Sequence, residues 1–91
     1  MIYLVKYSTS FKKRYRLMIK RGLDITLLDN VVEKLANREP LDKKYQDHVL
    51  SGDLKDCHEC HIKPDWLLIY YYDEDNLVLN LVDTGTHSDL F

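Results

Sequence analysis

A chain of 91 residues is long enough for one domain and too short for a large core, so a single unit spanning residues 1–91 is expected. Its 45% hydrophobic residues, three Gly and two Pro exclude a disordered or collagen-like chain, and no apolar run approaches the roughly 20 residues of a membrane span. The net charge of −2 speaks, taken alone, against nucleic-acid binding driven by the phosphate backbone, and two cysteines are too few for a disulfide framework.

Met1 to Lys6 is too short and too polar for a signal peptide, so a cytoplasmic, reducing compartment is expected. Ile2 to Tyr7 is apolar on both parities and predicts an inner strand covered on both faces. Ser8 or Ser10 can cap a helix that carries Phe11, Tyr15 and Met18 on one side, and Gly22 stands where a left-handed C-terminal cap belongs. Asp24 offers a second N-cap, and Leu27, Leu28, Val31, Val32 and Leu35 draw a stripe of helical period that Pro40 should end.

After a polar loop to Asp47 the period becomes that of strands: a short His48–Leu50, a turn at Ser51-Gly52-Asp53, and a strand from Cys57 to Ile62. Pro64-Asp65 marks a turn before Trp66 to Tyr72, which is apolar on both parities and reads as a central strand. Asp73 to Asn76 turns the chain, and Leu77 to Val82 returns. The order β-α-α-β-β-β, with a possible fourth late strand, predicts an α+β domain: two N-terminal helices on one face of a small, mostly antiparallel sheet, the other face free for a site.

Among motifs, Cys57-His58-Glu59-Cys60-His61 has the spacing of covalent haem attachment, which belongs to exported chains and is rejected here. Zinc on Cys57 and Cys60 is disfavoured because a strand sends residues three apart to opposite faces, so neither metal nor other cofactor is expected. His48, His61 and His87 stand at predicted strand ends, and Asp65 follows His61 by four residues. Imidazoles near neutrality can both accept and donate a proton, as cleavage of RNA by its own 2′-hydroxyl requires without a metal. Trp66 and Phe91 offer aromatic faces for unpaired bases, with a place in the core as the competing role for Trp66.

Three blocks carry a resemblance over essentially the whole chain: Tyr45-Gln46-Asp47-His48, then His61-Ile62-Lys63-Pro64-Asp65-Trp66-Leu67-Leu68-Ile69-Tyr70, then Thr84-Gly85-Thr86-His87-Ser88-Asp89-Leu90-Phe91. In these the chain resembles the YafQ toxins of the RelE superfamily, ribosome-dependent mRNA endonucleases of bacterial type II toxin–antitoxin pairs. The resemblance implies a RelE-like fold and a catalytic set of His48, His61, Asp65 and His87, with Trp66 and Phe91 supporting or stacking beside it. His87 is then expected as general acid, His48 or Asp65 as base, and His61 as electrostatic support. It also implies a cognate antitoxin of the DinJ or RelB kind, mRNA on the ribosome, and operator DNA reached through the antitoxin complex, with no membrane partner.

The chain departs from these relatives where they commonly read Gly-Tyr-Arg-Glu-Cys-His and it reads Asp56-Cys57-His58-Glu59-Cys60-His61, and where some carry an arginine and it has Asp83. Positive charge near the phosphate is therefore expected to be reduced, with His58 as a pH-dependent substitute. The competing expectation is a catalytically weakened toxin that mainly binds its antitoxin and serves as co-repressor. A metal sensor on Cys57 and Cys60 is a further alternative.

Overall fold

The first helix begins where Ser8 accepts a hydrogen bond from the Phe11 amide at 2.9 Å, so the serine side chain satisfies an amide that the helix itself leaves orphaned. In the computed structural model, which describes residues 2–52 and 56–91, β1 (Leu4–Tyr7) leads into α1 (Thr9–Lys20) and α2 (Ile25–Ala36). Gly22 takes the left-handed conformation (φ +83°) that closes α1, and the Asp24 carboxylate caps α2 by accepting from the Thr26 amide at 3.1 Å. Both helix starts and the first helix end are therefore where the sequence placed them.

The end of α2 is not. It stops at Ala36, four residues short of Pro40, because Arg38 turns left-handed (φ +59°) and the Arg38 and Glu39 amides fold back on the Leu35 and Lys34 carbonyls. The guanidinium of Arg38 then lies 3.9 Å from the centre of the Tyr72 ring and pairs with Glu74. A 3₁₀ turn (Lys43–Tyr45) leads to β2 (His48–Val49), β3 (His58–Lys63), β4 (Trp66–Asp73), β5 (Val78–Gly85) and a short α3 (His87–Leu90) that the sequence reading did not foresee. The Ser51-Gly52-Asp53 turn reaches beyond the described residues at Asp53.

The sheet runs β1-β5-β4-β3-β2, antiparallel except for the parallel pair β1–β5. Trp66 to Tyr72 is thus the central strand as expected. Ile2 to Tyr7 is not an inner strand: β1 is an edge, with Tyr3 buried toward the helices and Leu4 64% exposed. Apolar residues on both parities mislead here because only one face of β1 has a layer to bury against. Phe11 and Met18 of α1 and Leu28, Val31 and Leu35 of α2 pack on Cys60, Ile62, Leu68, Tyr70, Leu79 and Leu81, so both helices lie on one face, each such side chain worth about 1.5–3 kcal/mol of burial. Alternation then sends Glu59, His61 and Leu67 to the opposite face.

Candidate active site

Register alone brings the site together. His61 lies opposite Leu67 and Leu67 opposite Gly85, so three strands align these residues in one row. Two residues before Leu67 the Pro64-Asp65 turn presents Asp65, and two residues after Gly85 the chain enters α3 at His87. His48 lies opposite Glu59, two residues along β3 from His61 and on the same face. The result is a row of three imidazoles, with ring centres 6.2 Å apart for His48 and His61 and 5.9 Å for His61 and His87, over the fully buried Leu67.

Each ring is held from behind. The Asp65 carboxylate accepts from His87 Nδ1 at 2.6 Å and from the His87 backbone amide at 3.0 Å. That amide is one of the donors a helix start leaves free, and together the two bonds hold the Asp65 carboxyl below the usual carboxylate range. An ionised acceptor on Nδ1 fixes the proton there and turns Nε2 of His87 outward. His61 Nδ1 lies 3.3 Å from the Pro64 carbonyl and His48 Nδ1 2.7 Å from the Gln46 carbonyl. A carbonyl can only accept, so both rings carry their proton on Nδ1 and direct Nε2 inward.

What they face is Glu59, which no expectation named. Its side chain is 8% exposed, with Oε1 3.4 Å from His48 Nε2 and 3.7 Å from His61 Nε2. Two-residue alternation on β3 would have found it, since the period that puts His61 on the open face puts Glu59 there too.

α3, which carries His87, has its own anchor. Thr86 caps it by accepting from the Asp89 amide, and the Asp89 carboxylate accepts from the Thr86 amide at 2.9 Å. Arg21, at the end of α1, grips Asp89 with both nitrogens at 2.7 and 3.1 Å, which drives the Asp89 carboxyl down. A cavity of about 400 Å³ opens beside His61, lined by Tyr45, Gln46, Lys44 and Lys63 above Leu27 and Ile62.

Two expectations are corrected. Trp66 does not offer a stacking face: it is 2% exposed, its indole N–H donating to the Thr84 hydroxyl at 3.0 Å while that hydroxyl donates to the Leu67 carbonyl. The core role, weighed as the competitor, is the one it takes. His58 does not stand in for a missing arginine, because it shares the helix-packed face with Cys60, stacked on Tyr70 and paired with Asp47 at 3.3 Å. Asp83 is turned to α1, accepting from the Ser10 hydroxyl at 2.9 Å with Arg14 3.9 Å away. Burial raises both thiol pKa values, and Cys60 lies wholly inside the core. Phe91 is 67% exposed, its amide donating to the His87 carbonyl at 2.9 Å.

The family model described as "Bacterial toxin of type II toxin-antitoxin system, YafQ" matches residues 3–91. The chain belongs to the YafQ family. The mRNA interferase toxin YafQ of Escherichia coli K12 is 36% identical over 88 residues, covering 96% of this chain and 94% of the relative. A metal-bound toxin from Helicobacter pylori superposes with a TM-score of 0.93 at 44% identity, covering 99% of this chain and 100% of that one. In the E. coli DinJ–YafQ toxin–antitoxin complex the matched chain superposes with a TM-score of 0.89 at 35% identity, covering 100% of this YafQ family member and 99% of the other chain. The expected RelE-like α+β fold is thereby borne out. Among the described residues no helix is long and apolar enough to cross a membrane.

Proposed function

We propose that this YafQ family toxin is an mRNA interferase that cuts RNA on the ribosome by attack of the 2′-hydroxyl on the adjacent phosphate, using His48, His61 and His87 and no metal. The observation that carries it is the row of three imidazoles at about 6 Å spacing, each backed at Nδ1 by a fixed acceptor. His87 donates the proton to the leaving 5′-oxygen from Nε2, and the ionised Asp65 orients it instead of serving as base. His48, half exposed at the sheet edge, takes the 2′-proton, and Glu59 stabilises the imidazolium that forms. His61 lies between them and supports the charge on the phosphorane. Each proton-transfer group is expected to be worth roughly 10²–10⁴-fold in rate.

Lys44 and Lys63 border the recess beside His61 and contribute the positive charge that relatives draw from arginine, with Phe91 free to stack on a base. The partner is an antitoxin of the DinJ kind, through which operator DNA is reached. The edge strand β1, with Leu4 and Tyr7 exposed beside an apolar groove lined by Val5, Phe11, Tyr15 and Val32, suits an added strand of that partner. Localisation follows from the target as cytoplasmic.

The decisive experiment maps new mRNA 5′ ends after induction of the parent chain and of His87→Ala. Cuts made by the parent and absent with a folded His87→Ala protein support the assignment. Equal cutting by both overturns it, and absence of cutting by the parent favours the antitoxin-binding module.

A further inference from the structure

We propose that Asp47, tied to the hydroxyl of Tyr70, is a positioning residue for His48: it fixes the peptide that holds His48 Nδ1 and thereby aims the Nε2 that takes the 2′-proton. The consequence for cleavage rests on the proposed role of His48; the tie itself stands on geometry alone.

β2 cannot hold His48 by its own ladder. It is two residues long, lies at an edge of the sheet and meets β3 only at His48–Glu59 and Val49–His58, whereas strands usually run roughly three to ten residues. Gln46, two residues earlier than His48, is left-handed at φ +49° and ψ +42°, a conformation that residues other than glycine keep only where their surroundings impose it. The restraint must therefore come from outside β2.

Asp47 supplies it. Tyr70 lies in the central strand β4, 1% exposed, and its hydroxyl donates to Asp47 Oδ1 at 2.8 Å. Burial, aided by the bond to this carboxylate, pushes the phenol far above its ordinary pKa, so it remains a donor through the neutral range. The same oxygen lies 3.3 Å from His58 Nδ1, whose ring stacks on Tyr70. Neighbouring residues of extended chain point to opposite faces, so Asp47 is held on the helix-packed face while His48 works on the open one. The Gln46 carbonyl that receives His48 Nδ1 at 2.7 Å belongs to the planar peptide joining Gln46 to Asp47. Anchoring Asp47 sets the direction of that carbonyl, and the carbonyl sets the ring and its tautomer.

The test removes the tie at either end and compares it with an equal loss elsewhere. Tyr70→Phe and Asp47→Ala delete it, and Asp47→Asn keeps an oxygen that can accept from Tyr70. Tyr72→Phe is the control: it removes a tyrosine hydroxyl bond of 2.7 Å, to the Leu35 carbonyl, from the same face of β4. In single-turnover cleavage, per folded molecule, Tyr70→Phe and Asp47→Ala should each slow the step at least tenfold, with the RNA concentration for half-saturation within twofold of the parent. Asp47→Asn should stay within threefold and Tyr72→Phe within twofold. Heteronuclear NMR of the imidazole nitrogens gives a readout free of RNA. Neutral His48 should carry its proton on Nδ1 in the parent and become a mixture of tautomers in Tyr70→Phe and Asp47→Ala, with His61 unchanged. Cleavage by either variant as fast as by Tyr72→Phe, or an unmoved His48 tautomer, would overturn the positioning role. A tautomer shift in variants of a parent that cuts no RNA would confirm the anchor and sink the cleavage mechanism instead.

Discussion

Replacing Gly85 by alanine should disable the toxin without touching any catalytic group. Gly85 closes β5 at φ +153°, and a Cβ there would stand 2.8 Å from Asp89 Cβ and 2.9 Å from Asp89 Oδ2. Relief to ordinary contact requires Asp89 to withdraw by about 0.6 Å. It cannot do so alone, being tied to Thr86 and to both nitrogens of Arg21, so the movement passes to α3 and to His87 two residues away. A misplacement approaching 1 Å costs of order 10²-fold in rate, so a fall of about 10- to 100-fold in single-turnover cleavage is expected with substrate affinity nearly unchanged. Backbone strain of about 1–3 kcal/mol should lower the melting temperature by roughly 4–20 °C. The control is Gly52→Ala, where φ is +74° and, among the described residues, no atom lies within 4 Å of the added methyl, so strain is expected without displacement of α3. If Gly85→Ala cleaves as fast as Gly52→Ala under conditions where both are folded, α3 does not position His87 as described.

Three further outcomes follow from the same geometry. Asp65→Asn keeps the shape of the side chain but removes the ionised acceptor on His87 Nδ1, so cleavage should slow by roughly 10- to 100-fold with KM little changed; a rise in KM alone would make Asp65 an RNA contact. Trp66→Phe deletes the indole bond to Thr84 and some buried volume, costing about 1–3 kcal/mol in chemical denaturation, while cleavage per folded molecule stays within twofold; selective loss of cleavage would return the indole to the RNA surface. Asp89→Asn should destabilise the chain at neutral pH. Because the native carboxyl pKa is depressed, the stability it contributes is complete above the unfolded pKa of about 3.9 and is lost as pH falls below it. The gap between parent and variant in denaturant titrations should therefore be constant above about pH 5 and narrow steadily as pH falls from about 4 toward the much lower native pKa, so that a gap that does not narrow at all between about pH 5 and pH 2 would mean that ionisation of Asp89 is not its source.

The fold was legible wherever one residue decides a local outcome. Ser8 and Asp24 cap helices because their oxygens reach orphaned amides, and Gly22 closes one because it tolerates a positive φ. Of the site, His48, His61, Asp65 and His87 could be named because their chemistry is rare and their blocks match a family, and the structure brings them together. Glu59 was hidden by the conspicuous cysteines around it, although alternation with His61 pointed to it. The burial of Trp66 depends on Thr84, eighteen residues away, and the edge position of β1 depends on which strands pair with β5, neither of which periodicity encodes. α3 is four residues long and is held by Arg21 from the far side of the sequence; its one local signal, the capping-box spacing of Thr86 and Asp89, precedes no apolar run of helical period.

The net charge of −2 was the weakest guide, and the ion pairs show why. Among the described residues, Asp83, Glu74 and Asp89 are engaged with Arg14, Arg38 and Arg21, so these carboxylates are neutralised within the fold. The same pairs engage arginines and no lysine. Lys44 and Lys63, outside these pairs, border the recess beside His61, and local potential at a cleft, not the sum over a surface, is what would concentrate an anionic chain there. The departure at residue 83 weakens the site less than a count of charges implies, because Asp83 is already offset by Arg14 and Ser10. Glu59 is the carboxylate left facing the imidazoles, 3.4 Å from His48 Nε2 and 3.7 Å from His61 Nε2, where it can stabilise an imidazolium formed by proton transfer.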